Sequence, residues 1–166
     1  MFYIMQKVLC NRQLGISLRT RIIKCYVFST LLYGVEAWPM TEAKQKRIQA
    51  FELWCYHKML RISYMTHKTI AEVLRRMNKE RELMLIIKER KTQYFGHIIR
   101  NQKYELLQLI IEGKVSSKRE PGRRRNSWLK NLRQWTNMTF IELFRAATNK
   151  IKWANVMANV LKDKTP

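Results

Sequence analysis

The chain has 166 residues, of which 33 are Lys or Arg and 12 are Asp or Glu, for a formal charge of +21 and a pI near 10.4. That length supports one domain with a modest core or two small helical lobes. An apolar fraction of 46% argues against intrinsic disorder, and no apolar run approaches the ~18 residues of a membrane-spanning helix.

Scarce Gly (5) and Pro (3) argue against sheets joined by tight hairpins. The cation surplus repels itself in a compact state. A polyanion neutralises it most naturally, and nucleic acid is preferred over an anionic membrane surface. The cysteines Cys10, Cys25 and Cys55 are odd in number and form no CxxC, so reduced intracellular thiols are expected. The first fifteen residues lack a signal-peptide pattern, because Lys7 and Arg12 interrupt the apolar run. They are acid-poor like a transit peptide but not Ser-rich. An intracellular location, nuclear or cytoplasmic, is the expectation.

In chain order, Leu18–Tyr33 reads as a helix capped by Ser17 and ended by Gly34, with Ile22, Ile23, Tyr26, Val27 and Leu31 on one stripe. Residues 33–39 read as a turn closed by Pro39. Thr41 is expected to cap a longer helix reaching about Ile62. Its apolar stripe is Ile48, Phe51, Trp54, Cys55, Met59, Leu60 and Ile62, and Lys44, Lys46, Arg47, Lys58 and Arg61 lie on another face. A short helix starts at Thr66 and runs through Met77. The next covers about 79–100, with Glu80 and Glu82 at its favourable N-terminal end and Leu83, Ile86, Ile87, Tyr94 and Ile98 inward. A helix over 103–112 is closed by Gly113.

Residues 114–126 read as a basic linker around Pro121-Gly122. Ser127 is expected to cap a helix through Trp135. Thr139 and Glu142 have capping-box spacing for another. A last helix covers about 150–162, with Ile151, Ala154, Met157 and Ala158 on one face. No period-2 stretch of useful length is present. The expected fold is all-α, an irregular multi-helix bundle. The expected division is 1–113, the linker 114–126, and a C-terminal helical subdomain 127–166.

Catalysis through paired metals needs clustered carboxylates. The chain has one aspartate, Asp163, and its glutamates are scattered among Lys and Arg. No Walker lysine loop, GxGxxG or GxSxG is present. Cys55 and His57, two apart on a predicted helix, point to different faces and make a poor zinc pair. Cys25 and Cys55 fit instead as small core residues. No catalytic residue, metal or cofactor is expected.

What the chain does carry is phosphate-binding chemistry. Lys114, Lys118, Arg119, Arg123, Arg124, Arg125, Lys130 and Arg133 form its densest basic cluster, opposed only by Glu120. The planar fork of arginine matches phosphate oxygens, although a solvated linker or an import signal gives the same run. Trp128 and Trp135 share a helix face beside it; the reading as core is preferred over base stacking. A second basic group is Lys88, Arg90, Lys91 and Arg100, flanking Tyr94-Phe95-Gly96-His97. His97 reads as a structural, hydrogen-bonded histidine.

Four runs stand in a telling order: Leu31-Leu-Tyr-Gly-Val-Glu-Ala-Trp38, Phe51-Glu-Leu-Trp-Cys-Tyr-His-Lys-Met-Leu-Arg-Ile62, Arg90-Lys-Thr-Gln-Tyr-Phe-Gly-His-Ile-Ile-Arg-Asn101 and Gly122-Arg-Arg-Arg-Asn-Ser-Trp-Leu-Lys-Asn131. Together, over about residues 7–161, the chain resembles the region downstream of the palm in endonuclease/reverse transcriptases of non-LTR (LINE-type) retrotransposons, particularly RTE-like elements. The resemblance implies a thumb-like segment from Leu18 to about Ile62 that holds a template–primer duplex. It implies a basic extension beyond, which binds element RNA or target DNA.

The family's Tyr-x-Asp-Asp palm turn and its endonuclease have no counterpart in these residues. The resemblance therefore implies a truncated copy without polymerase or nuclease activity. Three further readings accompany it: a domesticated nucleic-acid-binding protein, a remnant without function, and a structural partner of a palm supplied in trans. An apolar strip exposed on Met1–Gly15 would favour the last.

Overall fold

The computed structural model describes residues 1–113, 122 and 127–162. The fold is all-α, and no strand occurs among the described residues. The chain forms two compact units, and these do not follow the expected break at 114–126. One comprises Met1–Val35 and Glu42–Leu85; the other comprises Glu36–Thr41 and the described residues from Ile86 onward. Within the second unit Phe95 of residues 86–113 is buried in the same core as Leu129 and Leu132, and Ile99 packs against it half-buried.

In the first unit, α1 (Gln6–Leu9) precedes α2 (Ile16–Ile22), which runs without a break into a π-helical stretch Ile23–Phe28 and then α3 (Ser29–Leu31). Gly15 takes the N-cap position of α2, and no side chain caps it, so the expected Ser17 cap is absent. The π turn changes which side chains face inward. An α-helical stripe would bury Tyr26, but the wider turn buries Ile23, Val27, Phe28 and Leu32, leaving Tyr26 and Cys25 exposed. Gly34 stops the run at φ +64, a backbone that costs glycine little.

Next comes α4 (Glu42–Leu60), beginning right after Thr41. It buries Ile48, Cys55 and Met59 as expected, together with Glu52 and Tyr56. Its end is a Schellman motif. Ile62 N–H donates to His57 O at 3.0 Å and Arg61 N–H to Lys58 O at 3.1 Å, which holds Arg61 at φ +54. Arg19 is buried, and its Nη1 donates to Met59 O (2.8 Å) and Leu9 O (3.4 Å). A cation thus meets the unpaired carbonyls at the C-terminal ends of α1 and α4.

Thr69, rather than Thr66, caps α5 (Ile70–Met77) by accepting from Glu72 N at 3.3 Å. Asn78 closes α5 in the left-handed region.

The helix α6 (Leu83–Arg100) starts four residues later than expected, and no acid sits in its first turn. Its N-terminus is capped from elsewhere in the first unit. Glu52 Oε1 accepts from Glu82 N (2.8 Å), Leu83 N (3.3 Å) and Tyr56 Oη (3.1 Å).

The second unit contains the rest of α6, then α7 (Glu105–Glu112), α8 (Leu129–Thr136), α9 (Phe140–Thr148) and α10 (Lys150–Lys162). Gly113 closes α7 at φ +74. Trp128, not Ser127, holds the N-cap position of α8, without a side-chain bond. The capping box forms at α9: Thr139 Oγ1 accepts from Glu142 N, and Glu142 Oε2 accepts from Thr139 N at 2.8 Å. The core joins Phe95, Leu129, Leu132, Leu143, Ala147 and Trp153. Each large side chain contributes about 1.5–3 kcal/mol through burial. Phe95 sits at the hub, 5.4 Å from Trp153 and 5.3 Å edge-on to Phe144 between ring centres.

The bounds of α10 match expectation, but its buried face does not. Trp153 and Val160 point inward with Val156 and Met157 half-buried, while Ile151 is exposed. The spacing i, i+3, i+4, i+7 from Trp153 brings together Trp153, Val156, Met157 and Val160, a bulkier stripe than the one through Ile151, Ala154 and Ala158, and the bulkier stripe is the one that packs inward.

Candidate nucleic-acid interface

Six of the residues expected to grip phosphate lie outside the described residues: Lys114, Lys118, Arg119, Arg123, Arg124 and Arg125. Lys130 and Arg133 are described and exposed on α8. They line a cleft of about 800 Å³ together with Glu112 and Gln134.

Lys91 and Lys88 do not lie on the phosphate-binding surface expected of them. Both are buried and face the core rather than solvent. The Lys91 ammonium donates to Trp38 O at 2.8 Å and to Asn131 Oδ1 at 3.2 Å, and sits 4.6 Å from the centre of the Trp128 ring. Lys88 Nζ lies 6.0 Å from the Trp135 ring centre. Carbonyl oxygens and indole faces replace the water that a buried ammonium loses, so these two lysines serve the core.

Asn131, itself buried, organises the same spot. Its Oδ1 also accepts from Met40 N at 2.9 Å, and its Nδ2 donates to Met40 O. Trp128 Nε1 donates to Glu36 O at 2.8 Å. Both tryptophans are half-buried against the core, in line with the core reading.

Arg90 is exposed and lies 3.8 Å from Glu36. Arg100 is exposed in part, but its Nη1 donates to Ala147 O at 2.9 Å, which ties it to the last turn of α9. His97, expected as a structural, hydrogen-bonded histidine, is exposed beside Tyr104, 5.4 Å between ring centres.

In the first unit, Lys44, Lys46, Arg47 and Lys58 are exposed along α4 and Arg61 is exposed just past its end, and Lys46 pairs with Glu42 at 2.7 Å. The residue that pattern reading missed is Lys7. It joins Lys58 and Arg61 around a cleft of about 700 Å³ that Tyr3 and His57 also line. No local spacing announces a pairing of residues about fifty positions apart.

Three buried ionisable groups of the first unit, Glu52, Cys55 and Tyr56, form one cluster on α4. Burial pushes Glu52 above the ordinary carboxylate value, opposed by the two backbone amides it accepts from. Burial, with the charge of Glu52, pushes the Cys55 thiol up to about 12, where it stays protonated and inert. Tyr56 is pushed up by burial and by Glu52. Among the described residues no group of three or more His, Cys, Asp or Glu could hold a metal ion. No helix there is long and apolar enough to cross a membrane. No protein-family model, curated protein or solved structure matches the chain.

Proposed function

We propose that this chain is a non-catalytic nucleic-acid-binding piece that holds RNA or a template–primer duplex through phosphate contacts. The observation that carries it is the surplus of +21, displayed in the first unit as five exposed cations on and just past α4. Phosphate is the ligand that such a surface neutralises with release of condensed counterions. The resemblance to the region downstream of a non-LTR reverse transcriptase palm supports the same reading, and with it a nuclear or cytoplasmic setting. Lys130, Arg133 and the linker arginines extend the phosphate-binding set, without Lys88 and Lys91. The test is a filter-binding titration of the purified chain against structured RNA, duplex DNA and single strands. Binding of at least one at low salt is expected; no binding to any of them would overturn the proposal.

A second reading has one observation in its favour. Met1, Ile4 and Val8 are apolar and exposed, with Ile4 at 79%, as a surface covered by a polypeptide partner would be. A reverse-transcriptase palm in trans is the partner that the resemblance suggests. Changing Ile4 and Val8 to the uncharged Ser would then abolish association with a separately expressed palm and leave oligonucleotide affinity unchanged.

A further inference from the structure

We propose that the cleft between the N-terminal turns and the end of α4 is a subsite for one unpaired nucleotide, with phosphate at Lys7, Lys58 and Arg61 and the base against Tyr3. This rests on the nucleic-acid reading above and deepens it. The cleft, about 700 Å³, has the size of a small-ligand site.

Its walls are built from both sides. Residues 1–10 form helical turns, with Met5 N–H on Met1 O, Leu9 N–H on Met5 O and Cys10 N–H on Gln6 O. Tyr3 and Lys7, four apart, therefore share a face, while Phe2 and Leu9 are buried. Cys10 Sγ donates to Lys58 O at 3.2 Å and fastens that segment to the end of α4. Opposite, the Schellman turn holds Arg61 in the left-handed region, where glycine is the usual occupant.

Two features define the ligand. Among the described residues the cleft's lining contains three long cations and no carboxylate, so it attracts an anion. Tyr3 keeps 71% of its surface exposed while its ring meets Trp54 edge-on at 5.8 Å, an aromatic anchored at one side and open for stacking. Lys58 also lies 6.0 Å from the Trp54 ring centre, which places charge and aromatic surface side by side. Cations beside an open aromatic are how single strands are held without regard to sequence, since every unpaired base offers a π-face. Paired bases inside a duplex cannot reach such a ring.

The test is fluorescence anisotropy with fluorescein-labelled oligo(dT) of ten nucleotides and a blunt 20-base-pair duplex, plus sedimentation with phosphatidylserine–phosphatidylcholine vesicles. Tyr3→Ala is expected to weaken oligo(dT) about tenfold and the duplex less than twofold. Lys7→Gln, Lys58→Gln and Arg61→Gly together should flatten the single-strand dependence of log K on log salt by about 2, three contacts at about 0.7 each. Arg61→Gly alone guards against misfolding: it relieves the left-handed backbone and should raise Tm by about 2–4 °C. Unchanged oligo(dT) affinity in Tyr3→Ala, an equal loss on the duplex, or a loss confined to vesicles would each overturn the subsite. If the unaltered chain binds none of oligo(dT), the duplex and a structured RNA at low salt, the wider reading falls as well; if it binds and the variants match it, only the subsite falls.

Discussion

Asn131 Oδ1 accepts from the Lys91 ammonium at 3.2 Å, and both side chains are buried. The pair stands 40 residues apart in sequence and ties α6 to α8, while the other bonds of Asn131 hold Met40. A lysine that pattern alone assigns to phosphate binding is thereby part of the core.

Removing Asn131 strips three groups of their partner at once: Met40 N–H, Met40 C=O and one donor of Lys91. Asn131→Ala should therefore cost about 3–5 kcal/mol, the range for breaking a buried, charged hydrogen-bond network. Lys91→Met should cost less, about 1–3 kcal/mol, because it removes the buried charge and orphans mainly Trp38 O. Urea denaturation measures both. Lys91→Met, still folded, should bind nucleic acid with unaltered salt dependence; a flatter slope would return Lys91 to the interface.

Gly96 lies inside α6, where alanine would ordinarily add about 1 kcal/mol. Here a Cβ would come within 2.4 Å of Trp153 Nε1 and 2.5 Å of Trp153 Cδ1. Trp153 is buried and donates to Thr92 O at 3.0 Å, so it cannot yield cheaply. Gly96→Ala should destabilise by about 1–3 kcal/mol despite the propensity gain. Thermal unfolding checks it, and a raised Tm would contradict the close approach.

Glu52 caps α6 with one carboxylate oxygen, and its other oxygen is buried without a hydrogen-bond partner. Burial is the largest influence on its pKa and raises it above the ordinary 4.5. The folded state then binds this proton more tightly than the unfolded chain. The contribution is fully present below the unfolded value and is lost as pH rises through the folded one. Glu52→Gln removes the titration, so stability of the unaltered chain minus that of Glu52→Gln should fall as pH rises from about 4 towards neutrality. Denaturant midpoints across pH measure the difference; a difference that grows with pH would mean that the capping amides outweigh burial.

Local signals carried much of the fold. Gly113 after an apolar run, Thr139 three before Glu142, and the ends of α10 each depend on residues within one turn, and each stands as read. What failed depended on distant partners or on a change of helical pitch. The π turn at Ile23–Phe28 moved the buried stripe off Tyr26 and left Cys25 exposed. The cap of α6 comes from Glu52, thirty residues upstream. The burial of Lys91 depends on Trp38 O, 53 residues away, and basic periodicity looks the same whether a lysine faces water or a carbonyl. The cleft holding Lys7 with Arg61 was hidden for the same reason.

Phosphate contact is tested most directly by the salt dependence of duplex binding, before and after changing Arg119, Arg123, Arg124 and Arg125 together to Ala. Each neutralised phosphate contributes about 0.9 to the slope of log K against log salt. Four contacts predict a slope flatter by roughly 3–4 in the variant, with all sequences weakened alike because phosphates carry no sequence information. Helicity by circular dichroism should be unchanged. A slope identical in the two proteins would contradict the assignment of these arginines to phosphate. Binding insensitive to salt in the unaltered chain would contradict the central claim itself.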